Sequence, residues 1–547
     1  MYNMTKRTKY LAILLTAAIL LPACGKSAHS PLQKDTASSV SSVAGSLSKP
    51  TEDTAQTTES GDDTEEERPT TPPPGETVRV GYVAVGHGRL VGSLNQTITA
   101  DDPHCKRVEA IPELGYRFAG WSDGYTGSIR VGDSFAEDTL LTAYFEQDIL
   151  NLPAVSLNTN VDPSRIDTER YVGGSISISG CEDAYALTDF DTEVRGRGHG
   201  SWTYEKKGWK LKLSEGQSLL GLGKGKSREW VLIANQVDRS LLRNAAATWI
   251  QHRLELDWVP DYAFVDLYLN GEYMGVYQLC EQIEADEHKV PILPGTLQDV
   301  SYFVELTVHA DTPRFTVHGK PYEVQSELPE EKGEQYLNAI DAHLTSCMVA
   351  VKSGDFDKIN ALIDLDSVIN AYIVEELTKN RDAGWDSFYL YRNPGGKLIF
   401  GPVWDFDMSS GNVKADEGSV CHHTFSFPDG LYAGNIKAKN DKQQNVWFME
   451  LAKYDWFWER VKIRWEQVSP SLAALPDLLL ATRDRYRDAF ERNFARWEIL
   501  HKQLSTEANV ILTMDSCSQQ IAYLADWYRQ RIEWLDDVWG EEWSLSE

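Results

Sequence analysis

Acids at Asp382, Asp405 and Asp407 interrupt a stretch that otherwise reads as β-structure: NRDAGWDSFYLYRNPGGKLIFGPVWDFDMSSGN, residues 380–412. The runs FYLYR and KLIFG have the aromatic and β-branched character of strands, and Asn393, Pro394, Gly395 and Gly396 between them supply turn angles. A hairpin brings the residue just before its first strand beside the residue just after its second, so Asp382 and Asp405 are expected to meet. Two facing carboxylates have three ordinary uses: holding a divalent cation, dividing acid and base roles, or capping turns without chemistry.

A second candidate lies far upstream in VRGRGHGSWTYEKKGWKLKLS, which starts at Val194. Gly196, Gly198 and Gly200 form a loop through which backbone N–H groups can approach a phosphate, and Arg195 and Arg197 add positive charge. A plain β-turn explains the same glycines. In the strand Trp209 to Leu213 that follows, a period of two puts Lys210 and Lys212 on one face and Leu211 and Leu213 on the other. Two lysines beside a glycine loop suit a polyphosphate; a strand with one wet face is the plainer account. LLGLGKGKS is not a P-loop, because Leu220 stands where that motif needs glycine, and it reads as a mobile loop. Cys421, His422 and His423 are consecutive, which suits a structural or incidental role better than a zinc site. Glu281 and Glu284 leave the hairpin FVDLYLNGEYMGVYQLCEQIE, turned at Asn270 and Gly271, and read as solvated linker charges.

These segments must be positioned by a chain of 547 residues, 42% hydrophobic and 11% aromatic, enough for two or three domains. Its formal net charge of -29 argues against a nucleic-acid partner. Residues 1–23 place Lys6, Arg7 and Lys9 before the apolar run YLAILLTAAILL and end in LPACG, the pattern of a bacterial lipobox. Cys24 is therefore the expected lipidation site, and its acyl chains would anchor the protein on the outer face of a membrane. Residues 24–77 are rich in Ser, Thr, Asp, Glu and Pro and are expected to form a disordered tether. Residues 78–148 carry short alternating runs punctuated by Gly and Asp, the signature of a small all-β module. Its segments GYRFAGWSDG and TLLTAYFE resemble the divergent internalin-type B-repeat, which implies a spacer or adhesive role, with Tyr116, Phe118 and Trp121 in the core. From 149 to 547 an α+β domain is expected, with strands such as SISISG, WKLKL and WVLIAN first and helical periodicity later. Trp447, Trp456, Trp458 and Trp465 recur at helical spacing and read as packing anchors.

The order of VRGRGHGSW, KKGWKLKL, WVLIANQVDRSLLRN, LYLNGEYMGVYQLCEQIE, NRDAGWDSFYLYRN and GPVWDFD resembles the CotH family of atypical protein kinases, closely over residues 150–412 and loosely beyond. The resemblance implies a pared-down kinase fold with ATP and Mg²⁺ or Mn²⁺ as cofactors. It places the loop of Arg195, Gly196, Arg197, Gly198 and Gly200 over the phosphates, with Lys210 or Lys212 as the phosphate-binding lysine. It makes Asp382 the catalytic aspartate and Asp405, assisted by Asp407, the metal ligand. Two departures stand out. Ser387 occupies the place of the metal-binding asparagine of ordinary kinases, and the helix near Leu241 has no early glutamate, leaving Glu281 or Glu305 to pair with the strand lysine. The expected partner is a surface or secreted protein phosphorylated on hydroxyl side chains. A non-catalytic surface protein using a kinase-like fold for adhesion is the main alternative, and a glycoside-processing enzyme with Asp382 and Asp405 as its acid pair is another.

Overall fold

Alternation with a period of two governs the first half of the computed structural model, which describes residues 71–540 apart from 87, 113–115, 148–151, 310–313, 415–425 and 435–444. The leader with Cys24, the tether up to residue 70, and Cys421, His422 and His423 lie outside the described residues. The small module comprises β1 (Thr77–Val85), β2 (Gly88–Gly92), β3 (Asn95–Thr99), β4 (Val108–Pro112), β5 (Tyr116–Trp121), β6 (Ile129–Arg130) and β7 (Thr139–Gln147). They form two sheets, β3-β1-β7-β5 and β2-β4-β6. Val78, Val80 and Tyr82 point inward from alternate positions of β1 and pack with Trp121, Leu141 and Phe145, while Phe118 packs against this core.

The expected strand-rich region is a closed barrel. Its strands are β8 (Ala154–Thr159), β9 (Val172–Ser179), β10 (Leu187–Arg197), β11 (Gly208–Gln217), β12 (Ser227–Ile233), β13 (Tyr262–Leu269) and β14 (Glu272–Glu281), in the order β10-β11-β12-β14-β13-β8-β9. Closure leaves no unpaired edge. Val194, Trp209, Leu211, Leu213, Trp230 and Leu232 alternate into the interior, so that Lys210 and Lys212 face outward as their spacing predicts. Asn270 and Gly271, with φ of 49° and 82°, make the tight turn between β13 and β14.

A second sheet of β15 (Tyr302–Leu306), β16 (Arg314–Val317), β17 (Lys320–Val324), β18 (Phe388–Arg392) and β19 (Ile399–Val403) runs β16-β17-β15-β18-β19. Helices α1 (Arg243–Arg253), α2 (Gly333–Ser353), α3 (Phe356–Leu362), α4 (Leu365–Thr378), α5 (Val446–Leu451), α6 (Asp455–Leu472), α7 (Leu475–Arg485), α8 (Arg487–Arg496) and α9 (Cys517–Gly540) share one core with it. Helix α4 is buried all round from Val368 to Thr378, as an apolar helix at the centre of a domain must be. Trp447, Trp458 and Trp465 are buried anchors: the Trp447 indole donates to the Tyr322 hydroxyl at 2.9 Å, and that of Trp465 to Asp536 at 2.7 Å. Each large apolar body thus has its one polar group satisfied.

Candidate functional site

Helix α4 stops where Lys379 turns left-handed, with φ of 48°. The chain then makes a tight turn in which the Asp382 carbonyl accepts N–H bonds from Trp385 and Asp386 at 2.8 and 2.9 Å. Asp386 is thereby brought back alongside Asp382. The antiparallel register of β18 and β19 pairs Phe388 with Val403, so residues entering β18 and leaving β19 emerge at the same end. Asp382, Asp386, Asp405 and Asp407 consequently line one cavity of about 930 Å³. The expected meeting of Asp382 and Asp405 is what the hairpin produces.

The loop after β19 is held from a distance. The Phe406 N–H donates to Asn244 Oδ1 at 2.8 Å, and Asn244 Nδ2 donates to Asn235 Oδ1 at 2.9 Å. Arg243 donates to the carbonyls of Ser409 and Ser410 at 3.1 and 3.2 Å while its Nη1 bonds Asp238 at 2.5 Å. Asn412 Nδ2 donates to the Val237 carbonyl at 3.1 Å. The polar residues of NQVDRSLLRN therefore form the scaffold of the acidic loop. Sequence reading saw there only a turn and a helix start, because partners more than 160 residues away leave no local pattern.

The opposite wall comes from the barrel. Arg195, Arg197, Gly198, Gly200 and Lys210 line the same cavity. Gly198 has φ of 98°, and a Cβ there would stand 2.0 Å from Ser201 Oγ, so the loop conformation needs glycine at that position. Gly196 and Lys212 are placed elsewhere. Gly196 lies under the Trp202 ring, which a Cβ would meet at 2.5 Å, and Lys212 stands 5.9 Å from the Tyr171 ring centroid, off the cavity wall. Of the two candidate lysines only Lys210 faces the cavity.

The lysine's partner differs from expectation. Lys210 pairs with Glu229 of β12 at 3.2 Å, and Glu229 also accepts from the Tyr171 hydroxyl at 3.2 Å. Neither Glu281 nor Glu305 takes that place, because Glu229 lies on the strand next to the lysine. Glu281 is 1% exposed and Glu284 is bonded to Lys289, so neither is a solvated linker charge. The GLGKGKS segment is likewise tied down, its Gly223 N–H donating to Asp261 at 3.2 Å. A buried cation absent from the sequence reading, Lys206, also borders the cavity; its ammonium donates to the carbonyls of Ala234 and Val276 at 2.7 and 2.6 Å. Burial without a carboxylate pushes it down to about 7.

Burial, with like charge added to it, governs the acids. Burial and then the Asp405 charge push Asp382 up to about 7. Burial raises Asp405, partly offset by the Arg197 guanidinium, and holds Asp407 well above the usual carboxylate range with help from Asp405 and Asp382. Glu305 is pushed to about 8 by burial and then by Asp386. Such a wall calls for positive charge.

Among the described residues no three Asp, Glu, His or Cys side chains form a ready cage for a metal ion. Mg²⁺ uses one or two carboxylates and takes its remaining oxygens from water and phosphate. Asp386 Oδ1, buried and without a hydrogen-bond partner, is one such unused hard donor. Asp405 and Asp407, the acids of the loop after β19, are the residues that would hold the ion.

A family model described as CotH kinase protein matches residues 194–535, more than half of the chain. A second, the divergent InlB B-repeat domain, matches residues 78–149. No curated protein matches the chain.

Proposed function

The chain belongs to the CotH kinase family, and from that premise we propose that it transfers the γ-phosphoryl group of ATP to hydroxyl side chains of surface or secreted proteins. The observation that carries this reading is the single cavity in which Arg195, Arg197, the loop at Gly198 and Lys210 face Asp382, Asp405 and Asp407. Phosphoryl transfer asks the protein mainly for positioning and charge stabilisation. Arg197, Lys210 and the N–H groups around Gly198 bind phosphate oxygens, and Glu229 fixes the direction of the lysine. Asp405 and Asp407 would hold Mg²⁺ or Mn²⁺, which would supply positive charge to offset that of the triphosphate. Asp382 orients the acceptor hydroxyl and receives its proton, a task suited to a carboxyl poised near 7.

The lipobox at Cys24 supports anchoring outside a membrane, and the B-repeat domain supports a place among surface proteins. The test is incubation of the full chain with labelled ATP, Mg²⁺ or Mn²⁺ and a generic protein acceptor, beside Asp382→Ala and Asp405→Ala. Transfer by the wild type that is lost in both variants is expected. Failure of the wild type to bind nucleotide would replace this reading with a non-catalytic adhesive one.

A further inference from the structure

Ordinary kinases set a metal-binding asparagine five residues after the aspartate that orients the acceptor. Here that position is Ser387, whose hydroxyl is a poor magnesium ligand. We propose that the neighbouring Asp386 supplies the missing metal oxygen, an inference that rests on the kinase reading above. The turn closed on the Asp382 carbonyl sets Asp386 on the cavity wall with Asp382 and Asp405. Its Oδ1 is buried and unpartnered, an arrangement that folded proteins rarely leave without a use. Glu305 lines the same cavity beside these aspartates.

A neutral residue gives independent support. Gln236 is 4% exposed, lines the same cavity and leaves its Oε1 without a partner. Unused oxygens in one cavity are what a hard cation with bound phosphate requires. Ser387 itself has φ of 54°, a left-handed conformation that asparagine tolerates better than most residues. The position can therefore accept the ordinary kinase residue without backbone strain, which makes a rescue experiment possible.

The experiment follows the free Mn²⁺ signal by electron paramagnetic resonance as Mn²⁺ is titrated into the full chain with a non-hydrolysable ATP analogue. Wild type, Asp386→Ala, Asp386→Asn and the double variant Asp386→Ala with Ser387→Asn are compared. Asp386→Ala is expected to weaken Mn²⁺ binding by about tenfold or more, the least that loss of an outer-shell partner costs. Asp386→Asn and the double variant are expected to restore it. Because Asp386→Ala removes a carboxylate with a buried, unpartnered oxygen from a group of acids, its thermal midpoint without ligand should stay level or rise. Undiminished Mn²⁺ binding by Asp386→Ala, a fall in its midpoint, or no restoration by either asparagine variant overturns the proposal while leaving the kinase reading in place. Failure of the wild type to bind Mn²⁺ and the analogue removes both.

Discussion

Asp382 illustrates how a single carboxyl ties stability to chemistry. Its folded-state value near 7, against 3.8 for the ordinary side chain, means that the folded chain holds a proton which the unfolded chain has released. Below about pH 3 both states are protonated and the group contributes nothing. As pH rises from about 3 to about 7 the unfolded state gains an advantage, and above about 7 the deficit is nearly constant. Asp382→Asn, which cannot ionise, should therefore unfold at a higher temperature than wild type at about pH 8, and the difference should vanish by about pH 3. A difference that persisted at about pH 3 would refute this account. Lys210 and Lys212 offer a second residue-level contrast, since one faces the cavity and the other does not. Lys210→Ala should weaken nucleotide binding by about 1.5–3 kcal/mol, the worth of a charged hydrogen bond, whereas Lys212→Ala should leave the dissociation constant unchanged. Equal effects in a calorimetric titration would contradict the placement.

At the scale of elements, the acidic loop owes its shape to the segment between β12 and α1. Arg243 and Asp238 are fully buried together, and Arg243 also carries the Ser409 and Ser410 carbonyls. Arg243→Ala would strand a buried carboxylate, so a loss of about 3–5 kcal/mol is expected from the shift in urea midpoint. Asn244→Ala removes the acceptor of the Phe406 N–H, at a cost of about 1–3 kcal/mol, and should lower transfer more than nucleotide affinity because it frees Asp405. This is also where sequence reading stops. The hairpin of β18 and β19 was legible because turn residues and aromatic alternation are local signals. So was the turn at Asn270 and Gly271. The scaffold of Asn235, Asp238, Arg243 and Asn244 was not, since a buried hydrogen bond to a remote carbonyl imposes no spacing on its neighbours. Glu229 was missed for a related reason: cross-strand pairing depends on the register of β11 against β12, which composition does not fix. Closure of the barrel was equally hidden, because it depends on the parallel pairing of β8 with β13 across more than 100 residues.

Over the whole domain, charge is unevenly shared across the cavity. The barrel side carries Arg195, Arg197, Lys206 and Lys210 with one lining acid, Glu169, while the side built on β15, β18 and the loop after β19 carries Glu305, Asp382, Asp386, Asp405 and Asp407. A free triphosphate meets attraction on one side and repulsion on the other; a metal–triphosphate complex can satisfy both. Nucleotide and divalent cation should therefore stabilise the fold together and hardly at all apart. The expected result is no shift in thermal midpoint with ATP and a chelator, little with Mg²⁺ alone, and a clear rise with both. Occupancy at about one hundred times the dissociation constant would contribute about 2.7 kcal/mol. ATP that stabilised the chain as well in chelator as in Mg²⁺ would mean that the acids do not face the phosphates, and the division of charge across the cavity would then need a different ligand to explain it.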